Sequence, residues 1–362
     1  MPKFIPGLAL TRDFYFDVVR PLIEQHCPGL QYSAGLVGHG SDVLGFDTPT
    51  STDHDWGPYL HIFFADLDFI VEKNRVDALL RKHLPTSYKG FPTHFTEGDY
   101  YLKHQPKAKK RGPVNHIFRF WTIRSFFQHY LGFDISKQPS FRDWLLFPQQ
   151  ALIEVTGGQL YRDDLDVEKY RRQFAWYPDD IWKYLLHIQW WKIADEIQSP
   201  SRSGEEGDEV GSMVVTARTV QKIMFMCFLM ERRYAPYSKW FGTAFQRWLR
   251  SGPELYPLLL QILHEKRWLP RQKLLTKAYR RLGEMHNALN LTPPVYPEET
   301  DFHGRGYPVL QLSGFFDGLK ESIKNKKLKN MHYPLGAIDQ FIDHAHINHM
   351  DYVYKELGDI IR

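Results

Sequence analysis

The chain has 362 residues, a net charge of +4 (46 basic against 42 acidic side chains) and an unusually high aromatic share of 15%. That composition excludes low-complexity disorder as the dominant state, and the length allows two ordinary domains or one large one. The charge is too mild to demand DNA or RNA as a partner, although it admits an anionic ligand such as a nucleotide.

The only cysteines, Cys27 and Cys227, are too few for a disulfide framework or a Cys-based zinc site. Cys227 lies in the apolar stretch "MFMCFLM" and reads as a small core residue. The N-terminal "MPKFIPGLALTRDFYF" carries two prolines and an acid where a signal peptide needs an unbroken apolar run. No stretch reaches the roughly 20 uncharged apolar residues of a membrane span. A soluble, cytoplasmic protein with no membrane partner is the expectation.

In chain order, "TRDFYFDVVRPLIEQH" has helical spacing, with Thr11 as N-cap and Phe14, Val18, Leu22 and Ile23 on one face. "LQYSAGLVG" reads as a strand ending at glycines, and "DHDWGPYLHIFF" as a second strand region interrupted by Gly57 and Pro58. "NRVDALLRKHL" follows as a helix, then "GFPTHFT" and "NHIFRFWTI" as strands, with the basic loop Lys103 to Pro113 between them. After about residue 135 the pattern turns helical. "DIWKYLLHIQWWKIADEI" has a period near 3.6, with Asp179 or Asp180 able to cap it. "MVVTARTVQKIMFMCFLMERR" is apolar nearly all round and should be the central helix of a bundle. The Ser/Gly/Glu-rich run Gln198 to Ser212 reads as a loop between the two, and further amphipathic helices follow. The expected fold is α+β: a mixed sheet with helices over residues 1–133, then an all-helical bundle domain over 134–362.

The chemistry concentrates in "GHGSDVLGFDTPTSTDHDWGP". If Asp53 and Asp55 sit on a strand, their carboxylates share one face, where they repel unless a cation intervenes. Oxygen-only ligands suit Mg²⁺ (or Mn²⁺), which keeps waters and phosphate oxygens as its other ligands. Upstream, Gly40-Ser41 at a strand-to-helix turn would offer amides and a hydroxyl to a phosphate, and Gly35, Gly38 and Gly40 permit close approach. A phosphate cradle followed by a carboxylate pair suits phosphoryl or nucleotidyl transfer. The bland alternative is a polar turn with Asx caps.

Gly-Ser, a short spacer and then D-x-D resembles the signature of the nucleotidyltransferase superfamily of DNA polymerase beta and kanamycin nucleotidyltransferase. The stretches "YPDDIWKYLL", "GDEVGS", "MERRYAPYSKWFGTAF" and "MHNALNLT" resemble an uncharacterised two-domain branch of it. The resemblance implies metal-dependent transfer of a nucleoside monophosphate from an NTP to an acceptor, a small molecule more readily than a nucleic acid. Asp53 and Asp55 would be catalytic metal ligands, and Gly40 and Ser41 would bind the triphosphate. The acceptor would lie in the cleft between domains.

The third carboxylate of many superfamily members is missing from "NHIFRFWTI", which offers Asn115, His116 and Arg119 instead. Asp66, Asp68 and Asp99 remain substitutes that spacing does not separate. A base toward the acceptor would come from Asp208 or Glu209, which equally suit capping of the helix starting near Gly211. Lys239, in "RRYAPYSKWFG", would pair with the triphosphate while Tyr or Trp stacks on the base; the structural alternative is cations suited to a helix C-terminus and aromatics suited to core packing. Two weaker features are the R-x4-H spacing of Arg281 and His286, which resembles small helical ribonucleases, and the cluster His344, His346 and His349. A catalytically inactive nucleotide-binding module is the alternative reading.

Overall fold

The computed structural model describes residues 2–97, 104–331 and 336–340, which fall into two compact units. One takes the described residues up to Gln138 together with Ala151–Ala175. The other takes Pro139–Gln150 and the described residues from Trp176 onward. The protein is α+β, with a mixed sheet in the first unit and a second unit dominated by helices.

The first unit opens with α1 (Gly7–Phe14), which runs through a π-turn over Tyr15–Val19 into α2 (Arg20–His26). This helix starts four residues before the expected cap. Thr11 is fully buried inside it, within hydrogen-bond reach of the Gly57 carbonyl at 3.5 Å. Then come β1 (Ser33–Leu36), β2 (His61–Phe63), α3 (Phe69–His83) and the short pair β3 (Ser87–Tyr88) and β4 (Phe91–Pro92). The unit continues with β5 (Arg119–Trp121) and α4 (Ile123–Leu131). After α5 (Phe141–Leu146) of the other unit come α6 (Gln149–Thr156), β6 (Gln159–Asp163) and α7 (Val167–Gln173).

The sheet order is β5-β2-β1-β6. β1 pairs antiparallel with β2 and β6, and β2 pairs parallel with β5. β1 is buried along its whole length, and its one polar side chain, Ser33, donates to Asp163 Oδ1 at 2.7 Å. Its core partners include Phe14, Tyr15 and Ile23 from the helical N-terminus, Ile62 and Phe64 from the β2 region, and Val76 and Leu80 from α3.

The second unit holds α8 (Asp179–Glu196), α9 (Ser199–Glu205), α10 (Glu209–Met230), α11 (Ser238–Trp248), α12 (Gly252–His264) and α13 (Trp268–Ala288). A hairpin of β7 (Glu299–Asp301) and β8 (Pro308–Leu310) and the helix α14 (Ser313–Ser322) follow. α10 packs against α8, α9, α12 and α13, as its all-round apolarity predicts. By length and composition it is long and apolar enough to cross a membrane, and 50% of its most apolar 18-residue stretch is buried within the fold. Cys227 is fully buried on it. The expected loop at Gln198 to Ser212 is instead mostly helix: α9 occupies it, with Pro200 in its first turn, and only Glu206–Asp208 separates it from α10.

Candidate nucleotide site

Antiparallel pairing of Gly35 with His61 sets the end of β1 beside the start of β2. Parallel pairing of His61 with Arg119 brings the start of β5 to the same end of the sheet. The connection from Val37 to Leu60 carries Gly40, Ser41, Asp53 and Asp55, so all four belong to one stretch anchored at one sheet end.

Two local expectations need correcting. No α-helix follows Gly40-Ser41; the chain makes consecutive turns over Ser41–Gly45 and then a single 3-10 turn over Pro49–Asp53. The D-x-D is also not on a strand. Asp53 is the last residue of that 3-10 turn, and Asp55 has a left-handed φ of 46°. The side-by-side carboxylates of a strand face therefore do not apply. Gly57 and Pro58 defer strand pairing until His61.

Asp53 keeps 64% of its side chain exposed, and its Oδ1 pairs with Nδ1 of the adjacent His54 at 2.9 Å. Asp55 is held across the chain. Its N–H donates to the His104 carbonyl at 2.8 Å, its Oδ1 accepts the His104 N–H at 3.0 Å, and His104 Nδ1 lies 3.1 Å from the same oxygen. Among the described residues, no group of three or more His, Cys, Asp or Glu side chains is arranged to hold a metal ion. Two carboxylates remain a donor set of the kind Mg²⁺ uses when it arrives on substrate phosphates.

The glycines around Ser41 make room for the protein's own side chains. Gly38 has φ 87°, and a Cβ there would strike the Tyr130 hydroxyl. Gly40 has φ 153°, and a Cβ there would strike the carboxylate of Asp42. Asp42 is a site residue that sequence reasoning missed. It is buried, accepts the Val43 N–H at 2.9 Å, and burial pushes its pKa up to about 7, helped by the nearby Asp47 charge. Asp47 itself accepts from Gly7 N–H at 2.7 Å and Trp56 Nε1 at 2.9 Å, tying the loop to α1.

Two further residues were missed. His39, within the Gly-His-Gly-Ser run, places Nδ1 2.8 Å from Oε1 of Glu154 on α6. The backbone carbonyl of Glu154 also accepts the Gly38 N–H at 3.0 Å. A His inside a glycine loop was a visible signal; its partner, 115 residues away, was not. Nearby His61 is buried and held neutral, its pKa well below the ordinary value through desolvation, with Nδ1 accepting from Trp121 Nε1 at 3.1 Å.

Among the proposed third carboxylates, Asp66 and Asp68 lie in the turn before α3, and Asp99 lies outside the described residues. On the strand where an acid was sought, Arg119 is exposed at the sheet end. Asn115 binds Arg81 Nη1 at 2.9 Å, and His116 is buried beside Asp77.

Asp208, Glu209 and Lys239 belong to the second unit. Asp208 is the N-cap of α10 and accepts the Gly211 N–H at 2.8 Å. Glu209 pairs at 3.1 Å with Arg271, which is fully buried and also donates to Ser212 Oγ at 2.6 Å. Lys239 is exposed in the first turn of α11, its ammonium 5.0 Å from the Trp240 ring. Asp179 and Asp180 do not cap α8; Asp180 instead accepts the N–H groups of Lys324 and Asn325.

His286 is fully buried. Its Nδ1 accepts from Trp190 Nε1 at 3.1 Å, its Nε2 meets Thr292 Oγ1 at 3.0 Å, and burial lowers its pKa to about 4. That corrects the ribonuclease spacing: a neutral, enclosed ring cannot reach RNA. His344, His346 and His349 lie outside the described residues.

A family model described as "Domain of unknown function (DUF4037)" matches residues 144–241, about a quarter of the chain, without reaching the Gly-Ser and D-x-D stretch. No curated protein matches. Among solved structures, the chain is similar to a nucleotidyltransferase-like protein from Exiguobacterium sibiricum 255-15. The identity is 11%, with 83% of this chain and 97% of that one covered and a TM-score of 0.32.

Proposed function

We propose that the chain is a metal-dependent nucleotidyltransferase that moves an NMP group from an NTP to an acceptor, with a small molecule as the favoured acceptor. One observation supports this above the others. Gly40-Ser41 and the Asp53/Asp55 pair are separated by a short spacer on one connection, from the end of β1 to the start of β2. Ser41 and the neighbouring backbone would bind the triphosphate. Asp53 and Asp55 would hold Mg²⁺ (or Mn²⁺) together with the phosphate oxygens. When bound, that ion supplies charge neutralisation to the transferring and leaving phosphates. Asp53, exposed and paired with the neighbouring His54, reorients at little cost, whereas Asp55 must give up its contact with His104.

A catalytically inactive nucleotide-binding module is the second reading, favoured by the prior engagement of Asp55 and by Arg119 where a third acid was expected. Isothermal titration with each NTP and Mg²⁺, paired with mass spectrometry of co-purified ligands, separates the two. Nucleotide binding accompanied by an adenylylated or otherwise nucleotidylated small molecule supports transfer. Binding with no pyrophosphate released over a broad acceptor screen supports the module.

A further inference from the structure

We infer that His39 is a phosphate-binding residue of this site, held in position by the buried carboxylate of Glu154. The inference deepens the nucleotidyltransferase reading and rests on it for the identity of the ligand, an inorganic or nucleoside polyphosphate.

Glu154 is 2% exposed, and a buried carboxylate is costly unless a donor or a cation meets it. His39 meets it with Nδ1 at 2.8 Å while 47% of the His39 side chain stays exposed. A carboxylate that accepts Nδ1–H fixes the tautomer and ring orientation, leaving Nε2 as the atom directed away from it. That imidazole occupies the position just before Gly40-Ser41, the pair proposed to bind phosphate.

The loop is fixed under it at two further points. Glu154 takes the Gly38 N–H on its backbone carbonyl, and Gly38 leaves the space that the Tyr130 hydroxyl fills. His39 is therefore mounted on a braced turn rather than a free one. A loop tether alone would explain the Glu154 backbone contact. It does not call for a second contact, from a buried acid side chain to a half-exposed ring. His39 would hydrogen-bond a terminal phosphate oxygen, and Glu154 is a positioning residue acting through it.

The test uses the full chain and inorganic tripolyphosphate with Mg²⁺, a probe that binds without nucleotidyl transfer. Calorimetry is expected to give a Kd about tenfold weaker for His39→Gln (about 1.4 kcal/mol) and about threefold weaker for Glu154→Gln. Imidazole ¹⁵N spectra of the wild type should show His39 Nε2 shifting on tripolyphosphate addition. In Glu154→Gln the tripolyphosphate-induced shift of His39 Nε2 should shrink while the urea midpoint stays close to that of the wild type, which loss of a merely structural acid would not produce. Tripolyphosphate binding with an unmoved Nε2 signal, equal affinity in His39→Gln, or no binding by the wild type each overturns the assignment. Absence of NTP turnover alongside His39-dependent tripolyphosphate binding would count against nucleotidyl transfer while leaving His39 in place.

Discussion

Asp55 and His104 hold each other through three contacts: two backbone N–H donations at 2.8 and 3.0 Å and a ring-to-carboxylate approach of 3.1 Å. His104 is the first described residue of the basic stretch that continues through Lys107, Lys109, Lys110 and Arg111. An acid expected to bind metal is thus already spoken for, and the basic loop is fastened to the D-x-D segment.

Competition follows from that contact. His104→Ala should tighten Mg²⁺–NTP binding several-fold, because Asp55 no longer exchanges one partner for another. Calorimetry reads it directly. A weaker Kd in the variant would mean that His104 assists the ligand instead of competing with it.

Asp42 gives the fold a pH dependence whose sign can be stated. Its folded pKa is raised, chiefly by burial, from the ordinary carboxylate range to about 7. Between about pH 4 and 7 the folded protein keeps a proton that the unfolded chain has lost. Stability from this group is therefore greatest at low pH and falls as pH rises through that window, by up to a few kcal/mol. Asp42→Asn should remove that slope, gaining stability over the wild type at pH 8 and little at pH 4.5. Urea melts at both values check it, and parallel slopes in the two proteins would contradict it.

Asp208 and Glu209 have structural occupations that account for them without chemistry. Asp208→Ala should cost about 1 kcal/mol through loss of the α10 cap. Glu209→Gln should cost about the same by leaving Arg271 with one fewer anionic partner, since the pair is partly solvent-screened. Both variants should retain NTP turnover within about twofold of the wild type once folded. A drop of a hundredfold in either, with unchanged stability, would restore it as a base.

His286→Ala should lower stability by about 1–3 kcal/mol, since Trp190 Nε1 is left buried without its acceptor. RNA incubated with either protein should stay intact. Cleavage by the wild type that disappears in the variant would revive the nuclease reading.

Local signals were legible in the sequence where one element decides its own form. The helix at α8 and the central place of α10 both hold, although α8 is buried continuously over Tyr184–Trp190 rather than along one face, and Trp191 of the expected face is exposed. The Gly-Ser and D-x-D spacing was also visible, yet its backbone was misread. Apolar residues after Asp55 suggested a strand, whereas Gly57 and Pro58 postpone pairing to three residues, His61–Phe63. At Gln198 to Ser212, Ser and Gly content suggested a loop, but packing on α10 and α13 overrides weak propensity and α9 forms. The pairs that shape the site, His39 with Glu154 and Asp55 with His104, span 115 and 49 residues. No periodicity links residues so far apart.

Pyrophosphate release by the purified chain, with Mg²⁺ and each common NTP over a panel of small-molecule acceptors, tests the central claim most directly. The wild type should release pyrophosphate with at least one pairing, and the Asp53→Asn, Asp55→Asn double variant should lose at least about a hundredfold of that rate while still folding. Release that persists in the double variant, or none from the wild type with any pairing, contradicts the claim.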